Sequence, residues 1–149
     1  YEVRDQKVKY AKAVLTGASK QAAIEAAELE KDATLYRCHF EFPASLSLYI
    51  NDKQIDAIKD GMTYNSLQVQ YESLVDMVPS LTEEEKKQIY AWYKEAREFS
   101  MDAENSDKKH AAFNKYKGRI NNYLTKRGYD LVKERNEWYK RLKAAGKKI

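Results

Sequence analysis

A chain of 149 residues with 43% hydrophobic and 34% charged side chains fits one compact, soluble domain spanning residues 1–149 and long enough to close a core. Five glycines and two prolines leave little material for hairpin turns, so a sandwich or barrel is disfavoured and helices are expected. One cysteine, Cys38, excludes an internal disulfide framework, and with only two histidines it cannot complete a four-ligand zinc site, so neither metal nor cofactor is expected. No apolar run reaches the roughly 20 residues that cross a bilayer. A net charge of +4, from 27 basic and 23 acidic residues, is too nearly balanced to imply nucleic acid or an anionic membrane.

The first helix is predicted over residues 2 to 16, with Val3, Tyr10 and Val14 on one face, Ala11 and Leu15 beside them, and a break at Gly17-Ala18-Ser19. From Ala22 the spacing becomes regular. Ala22, Ala26, Leu29, Ala33, Tyr36 and Phe40 follow one another by four, three, four, three and four residues, the heptad seam of a close-packed helix pair. Half of those positions are small, which lets a partner helix approach closely. Pro43 is expected to kink this second helix or to start another. Asn51-Asp52 caps a short helix carrying Ile55 and Ile58, with Gly61 just past its end. Leu67 to Tyr71 alternates with period two and predicts an extended entry into a helix holding Leu74, Val75 and Val78, ended by Pro79.

Punctuation is clearer in the second half. Thr82-Glu83-Glu84-Glu85 is a capping box with acids at the positive end of the helix dipole. Ile89, Trp92, Tyr93, Ala96, Phe99 and Ala103 then fall within about 120° on a helical wheel, predicting a core helix to about residue 104. Ser106 caps the next helix, whose apolar arc is Phe113, Tyr116, Ile120, Tyr123 and Leu124, and Gly128 ends it. Asp130 caps a last helix with Leu131, Trp138, Leu142 and Ala145 inward, and Lys143, Lys147 and Lys148 complement its negative end. The expectation is an all-α bundle of seven or eight helices, one of them long and heptad-patterned.

One polar row stands out. His110, Asn114, Lys117 and Asn121 fall within about 60° of one another beside the apolar arc, while Lys108, Lys115, Arg119 and Lys126 occupy the opposite, solvated face. Such a row is expected to be partly buried, either lining a cleft or satisfying neighbouring loop carbonyls. Twelve tyrosines are unusually many, and most read as core rings whose hydroxyls reach the surface; Tyr49, Tyr64, Tyr71 and Tyr90 fit that account less well. Aromatic faces beside amides and charges suit a carbohydrate site. Asp60, Glu95, Glu98, Asp102 and Asp107 offer carboxylates, but no spacing selects an acid–base pair. His39 and His110 lack an accompanying nucleophile motif, and the glycines at 17, 61, 118, 128 and 146 form no phosphate loop. No nucleic-acid partner is expected, because basic residues gather only between Lys143 and Lys148.

Several runs carry a resemblance: Lys59-Asp60-Gly61-Met62-Thr63-Tyr64-Asn65, Pro79-Ser80-Leu81-Thr82-Glu83-Glu84, Ala96-Arg97-Glu98 with Met101-Asp102-Ala103, and Lys109-His110-Ala111 with Phe113 to Leu124. From about Lys59 to Trp138 the chain resembles a bacterial family known only as a domain of unknown function. Its members are secreted helical proteins often encoded beside plant-polysaccharide, especially pectin, degradation enzymes. The resemblance implies a periplasmic or extracellular location and a glycan context, and a preceding helical segment and signal peptide before Tyr1. It brings no activity with it.

Together these readings lead to an accessory protein of glycan utilisation that binds an acidic oligosaccharide through His110, Asn114, Lys117, Asn121, Arg119, Tyr64 and Asp102. The alternative enzyme would be a lyase or hydrolase of uronic-acid glycans, with His110 or Tyr64 as base, Lys117 or Arg119 on the substrate carboxylate and Asp102 as orienter. A third reading is a docking module in which the Ala22 to Phe40 seam pairs with a second copy or with another envelope protein.

Overall fold

A computed structural model describes residues 1–147. Among them are eight α-helices and no strand: α1 (Glu2–Val14), α2 (Gly17–His39), α3 (Glu41–Leu46), α4 (Asp52–Met62), α5 (Ser66–Met77), α6 (Glu83–Met101), α7 (Ser106–Lys126) and α8 (Leu131–Ala144). The all-α expectation holds. The expected contribution of Lys148 to the last helix end lies outside the described residues. Two compact units emerge, residues 1–55 and 56–149, with the division falling inside α4.

The first unit is built on an α1–α2 hairpin. Leu15 and Thr16 are extended, and Gly17 takes φ +55, a left-handed conformation that glycine adopts without steric cost. Ala11 and Ala27 are the buried residues of the two helices, small side chains at the closest approach. Arg4 pairs with Glu28 at 2.9 Å, Lys7 pairs with Glu30, and Lys31 returns to Glu28 at 2.9 Å, so the hairpin is bordered by charge. Hydrogen bonds from Lys31 and then Arg4 hold the Glu28 carboxyl below its ordinary range. Pro43 sits at the third position of α3, inside the first turn, where its missing N–H is no loss.

The apolar positions of this hairpin do not lie where periodicity put them. Val3, Tyr10 and Val14 are exposed. So is every position of the α2 seam: Leu29, Tyr36 and Phe40 are each more than 60% accessible, and the three alanines are open as well. The turn of α2 buries Ala27 and half-buries Ala23, Ile24, Glu28, Lys31 and Leu35, close to the opposite side of the wheel.

The second unit has a single core. Leu67 and Leu74 from α5, Val78 and Leu81 beyond it, Ile89, Tyr93 and Ala96 from α6, and Phe113, Tyr116, Ile120 and Leu124 from α7 form one buried cluster. The Thr82–Glu85 capping box is present in both directions, at 3.2 and 2.9 Å. Gly128 at φ +95 ends α7 with the Tyr129 N–H donating to the Leu124 carbonyl, a Schellman closure. The α8 helix is fixed to the end of α5: Trp138 Nε1 donates to Asp76 at 2.6 Å and Arg141 donates to the Asp76 carbonyl at 2.6 Å.

Several sequence expectations need correction. Leu67 to Tyr71 is helical from Ser66 onward, because Leu67, Leu74 and the neighbouring Val78 serve one core, a helical spacing that outweighs the local alternation. Gly61 lies inside α4, and the reversal after it falls on Tyr64 and Asn65. The α6 helix stops at Met101, Phe99 is 57% exposed, and Ala145 is exposed beyond α8.

Candidate functional site

Tyr64 and Asn65 form the α4–α5 junction with φ of 57° and 56°, both left-handed and neither glycine. For tyrosine that conformation costs on the order of 1 kcal/mol or more, so the surroundings must hold it. They do. The Asn65 N–H donates to the Asp60 carbonyl at 2.8 Å, the Thr63 hydroxyl donates to the Lys59 carbonyl at 2.9 Å, and Lys109 Nζ reaches from α7 to the Met62 carbonyl at 2.7 Å. The result places the Tyr64 ring against His110, centroids 5.6 Å apart and planes 22° from parallel, with Lys109 Nζ 6.0 Å from the tyrosine centroid. Tyr64 and His110 are both exposed.

A charge network on α4 and α6 supports this junction. Arg97 is 3% exposed; it meets Asp60 at 2.8 Å and Asp56 at 2.5 Å, while Lys59 binds both oxygens of Glu98 at 2.9 Å. Burial works against the Arg97 charge, and its bonds to Asp60 and Asp56 more than compensate, leaving the guanidinium firmly protonated.

The polar row on α7 is real as a row but not as the lining of a hollow. His110, Asn114 and Lys117 are exposed and only Asn121 is half-buried. The core takes Phe113, Tyr116, Ile120 and Leu124, and the row lies about 90° from the middle of that arc, at its rim. From His110 to Asn121 it extends about 16 Å along the helix. Asp102 is the half-buried C-cap residue of α6.

Arg119 belongs to a different face. Residues two apart on a helix point about 200° apart, so Lys117 and Arg119 cannot converge on one carboxylate. The Arg119 guanidinium lies 4.8 Å from the Tyr116 ring centroid and 6.0 Å from that of Trp92, and its Nη1 is 3.5 Å from Glu95. Burial, and a hydrogen bond to Glu95, push the Tyr116 hydroxyl up to about 12. Next along the antiparallel α6–α7 pair, Trp92 meets Tyr123 edge to face at 5.0 Å, and Arg127 lies 4.8 Å over Tyr123. Phe99 stacks on Tyr116 at 6.3 Å at the other end. Arg119 and Arg127 are eight residues apart, about 12 Å along the helix axis; each lies against an aromatic ring and is nearly half exposed, and Arg127 also meets Glu85 at 3.6 Å.

Sequence reasoning singled out Arg119 but missed Trp92, Tyr123 and Arg127 as its companions. Pairing two antiparallel helices residue by residue is what joins them, and a wheel of one helix does not contain that information. A second missed signal was countable. Residues 106–147 carry 13 Lys/Arg and 4 Asp/Glu, whereas residues 1–105 carry 13 and 19, so near-neutrality of the whole conceals a strongly basic C-terminal stretch.

These observations define an all-α protein whose penultimate long helix bears exposed cationic side chains backed by buried and half-buried aromatic rings. The chain belongs to the family described as Protein of unknown function (DUF3826), whose model matches residues 1–144. The match takes in the α1–α2 hairpin as well as the motifs after Lys59. No curated protein matches the sequence.

Proposed function

We propose that this protein binds an acidic oligosaccharide on the α6–α7 surface, as a non-catalytic component of glycan utilisation in an envelope or extracellular compartment. The observation that carries the reading is the Arg119 guanidinium lying over the Tyr116 ring at 4.8 Å and within 6.0 Å of that of Trp92. A guanidinium backed by the buried Tyr116 ring offers paired donors to a carboxylate, while the half-buried Trp92 beside it supplies aromatic surface for the C–H face of a sugar. Arg127 on Tyr123 repeats the arrangement further along, which suits an extended, repeating anion better than a single small one. Excess positive charge over residues 106–147 favours encounter with such a chain. The Tyr64–His110 pair and the row continuing through Asn114, Lys117 and Asn121 provide a polar rim on the other side of α7.

Open exposure favours binding over catalysis. Burial pushes the Tyr93 hydroxyl up to about 12, and burial with a hydrogen bond to Glu95 does the same for Tyr116, so neither of these two serves as a base at neutral pH. Calorimetric titration with oligogalacturonate tests the reading. Arg119→Ala is expected to weaken binding about tenfold, equivalent to about 1.4 kcal/mol, and Trp92→Ala comparably. Lys117→Ala, on the rim, should lose only a few-fold. Absence of heat with oligogalacturonate and with a panel of other acidic glycans contradicts the proposal; release of unsaturated or reducing-end products would replace it with the lyase or hydrolase reading.

A further inference from the structure

The bare seam on α2 has a symmetry that the spacing alone does not announce. Its six residues are arranged evenly about position 31: Ala22 mirrors Phe40, Ala26 mirrors Tyr36, and Leu29 mirrors Ala33. Each mirrored pair joins one alanine to one large side chain. All six are exposed, on a run of about 27 Å, and the face buried against α1 is elsewhere on the helix. Ala26 also lines a groove with Tyr10 of α1, itself 64% exposed.

We infer that this face is the contact between two copies of the chain, packed antiparallel through α2 about a two-fold axis at residue 31. Two-fold pairing sets a residue against its mirror on the other copy. Ala22 then faces Phe40, Ala26 faces Tyr36 and Leu29 faces Ala33, so every layer holds one small and one large side chain at a constant helix separation. A parallel pair in register would stack Ala22 on Ala22 and Ala26 on Ala26 at one end, and Tyr36 on Tyr36 and Phe40 on Phe40 at the other. Such a pair would be narrow at one end and forced apart at the other. Antiparallel helix dipoles add to the preference. An isologous contact of this type closes on itself and does not propagate into fibres. A single helix pair of this length is at the small end of specific interfaces, so dissociation on the order of 10 µM is expected.

Sedimentation equilibrium of the full chain from about 1 to 500 µM tests this directly, a range bracketing that dissociation constant. The mass should rise from monomer to dimer, and Ala33→Glu should hold it at monomer with helicity unchanged, since position 33 is exposed. Register is read by cysteine pairing in a Cys38→Ser background. A mixture of the Ala26→Cys and Tyr36→Cys chains should oxidise to a disulfide-linked dimer. Ala26→Cys alone should not, because its two thiols would lie about 15 Å apart along the axis. Monomer at every concentration, dimerisation indifferent to Ala33→Glu, or self-crosslinking of Ala26→Cys would each overturn the inference, the last by establishing a parallel pair.

Discussion

Arg97 joins α4 to α6 through Asp56 and Asp60, and its burial makes it the side chain on which the Tyr64 junction leans. Asp56 is half exposed and Asp60 a third exposed, so both can recover water if the guanidinium is lost. Arg97→Ala is therefore expected to cost about 1–3 kcal/mol, less than a fully buried ion pair would, in chemical denaturation. Arg97→Lys should recover little of it, because one ammonium cannot span two carboxylates in the fork geometry. Arg97 and Glu98 were visible in the sequence only as a motif. Their partners Asp56, Asp60 and Lys59 lie about 40 residues away, a distance that no local pattern bridges. Tyr64 and His110 both stand out in the sequence, yet their stacking depends on two consecutive left-handed residues, neither of them a glycine that would have marked the turn.

At the scale of elements, legibility followed local chemistry. The α6 start could be read outright because a capping box is a relation between residues three apart. Thr82→Ala should destabilise the fold by about 1 kcal/mol. Glu85 in the same box adds a pH dependence. Burial works to raise its carboxyl, but hydrogen bonds from Tyr129 and Thr82 prevail and hold it below the ordinary 4.5. A depressed folded value contributes stability that is complete above about pH 4.5 and lost as pH falls through the folded value. Thermal melts of the native chain should therefore drop more steeply below pH 4.5 than those of Glu85→Gln, and equal slopes would deny Glu85 that role. The α2 seam illustrates the reverse. Its heptad spacing was plain, but which face of a helix meets its neighbour is decided by the partner, and α1 packs against the side carrying Ala27. The extended reading of Leu67 to Tyr71 failed for a similar reason: five alternating residues yielded to the helical spacing of Leu67 and Leu74 against α6 and α7.

For the molecule as a whole, the all-α class, the number of helices and most of their ends were readable, while the candidate surface was readable only as scattered members. The helical wheel already set Lys117 and Arg119 on different faces; what it could not supply is the pairing of Arg119 with Trp92 and Glu95 from α6. The charge division between residues 1–105 and 106–147 belongs to this scale too, and it predicts that binding to an acidic chain weakens steeply with salt. Amide chemical-shift mapping of the labelled protein during titration with oligogalacturonate tests the central claim most directly. The account predicts saturable shifts concentrated at Trp92, Glu95, Tyr116, Arg119, Tyr123 and Arg127. Shifts confined to the α1–α2 hairpin, or none at all, would contradict it.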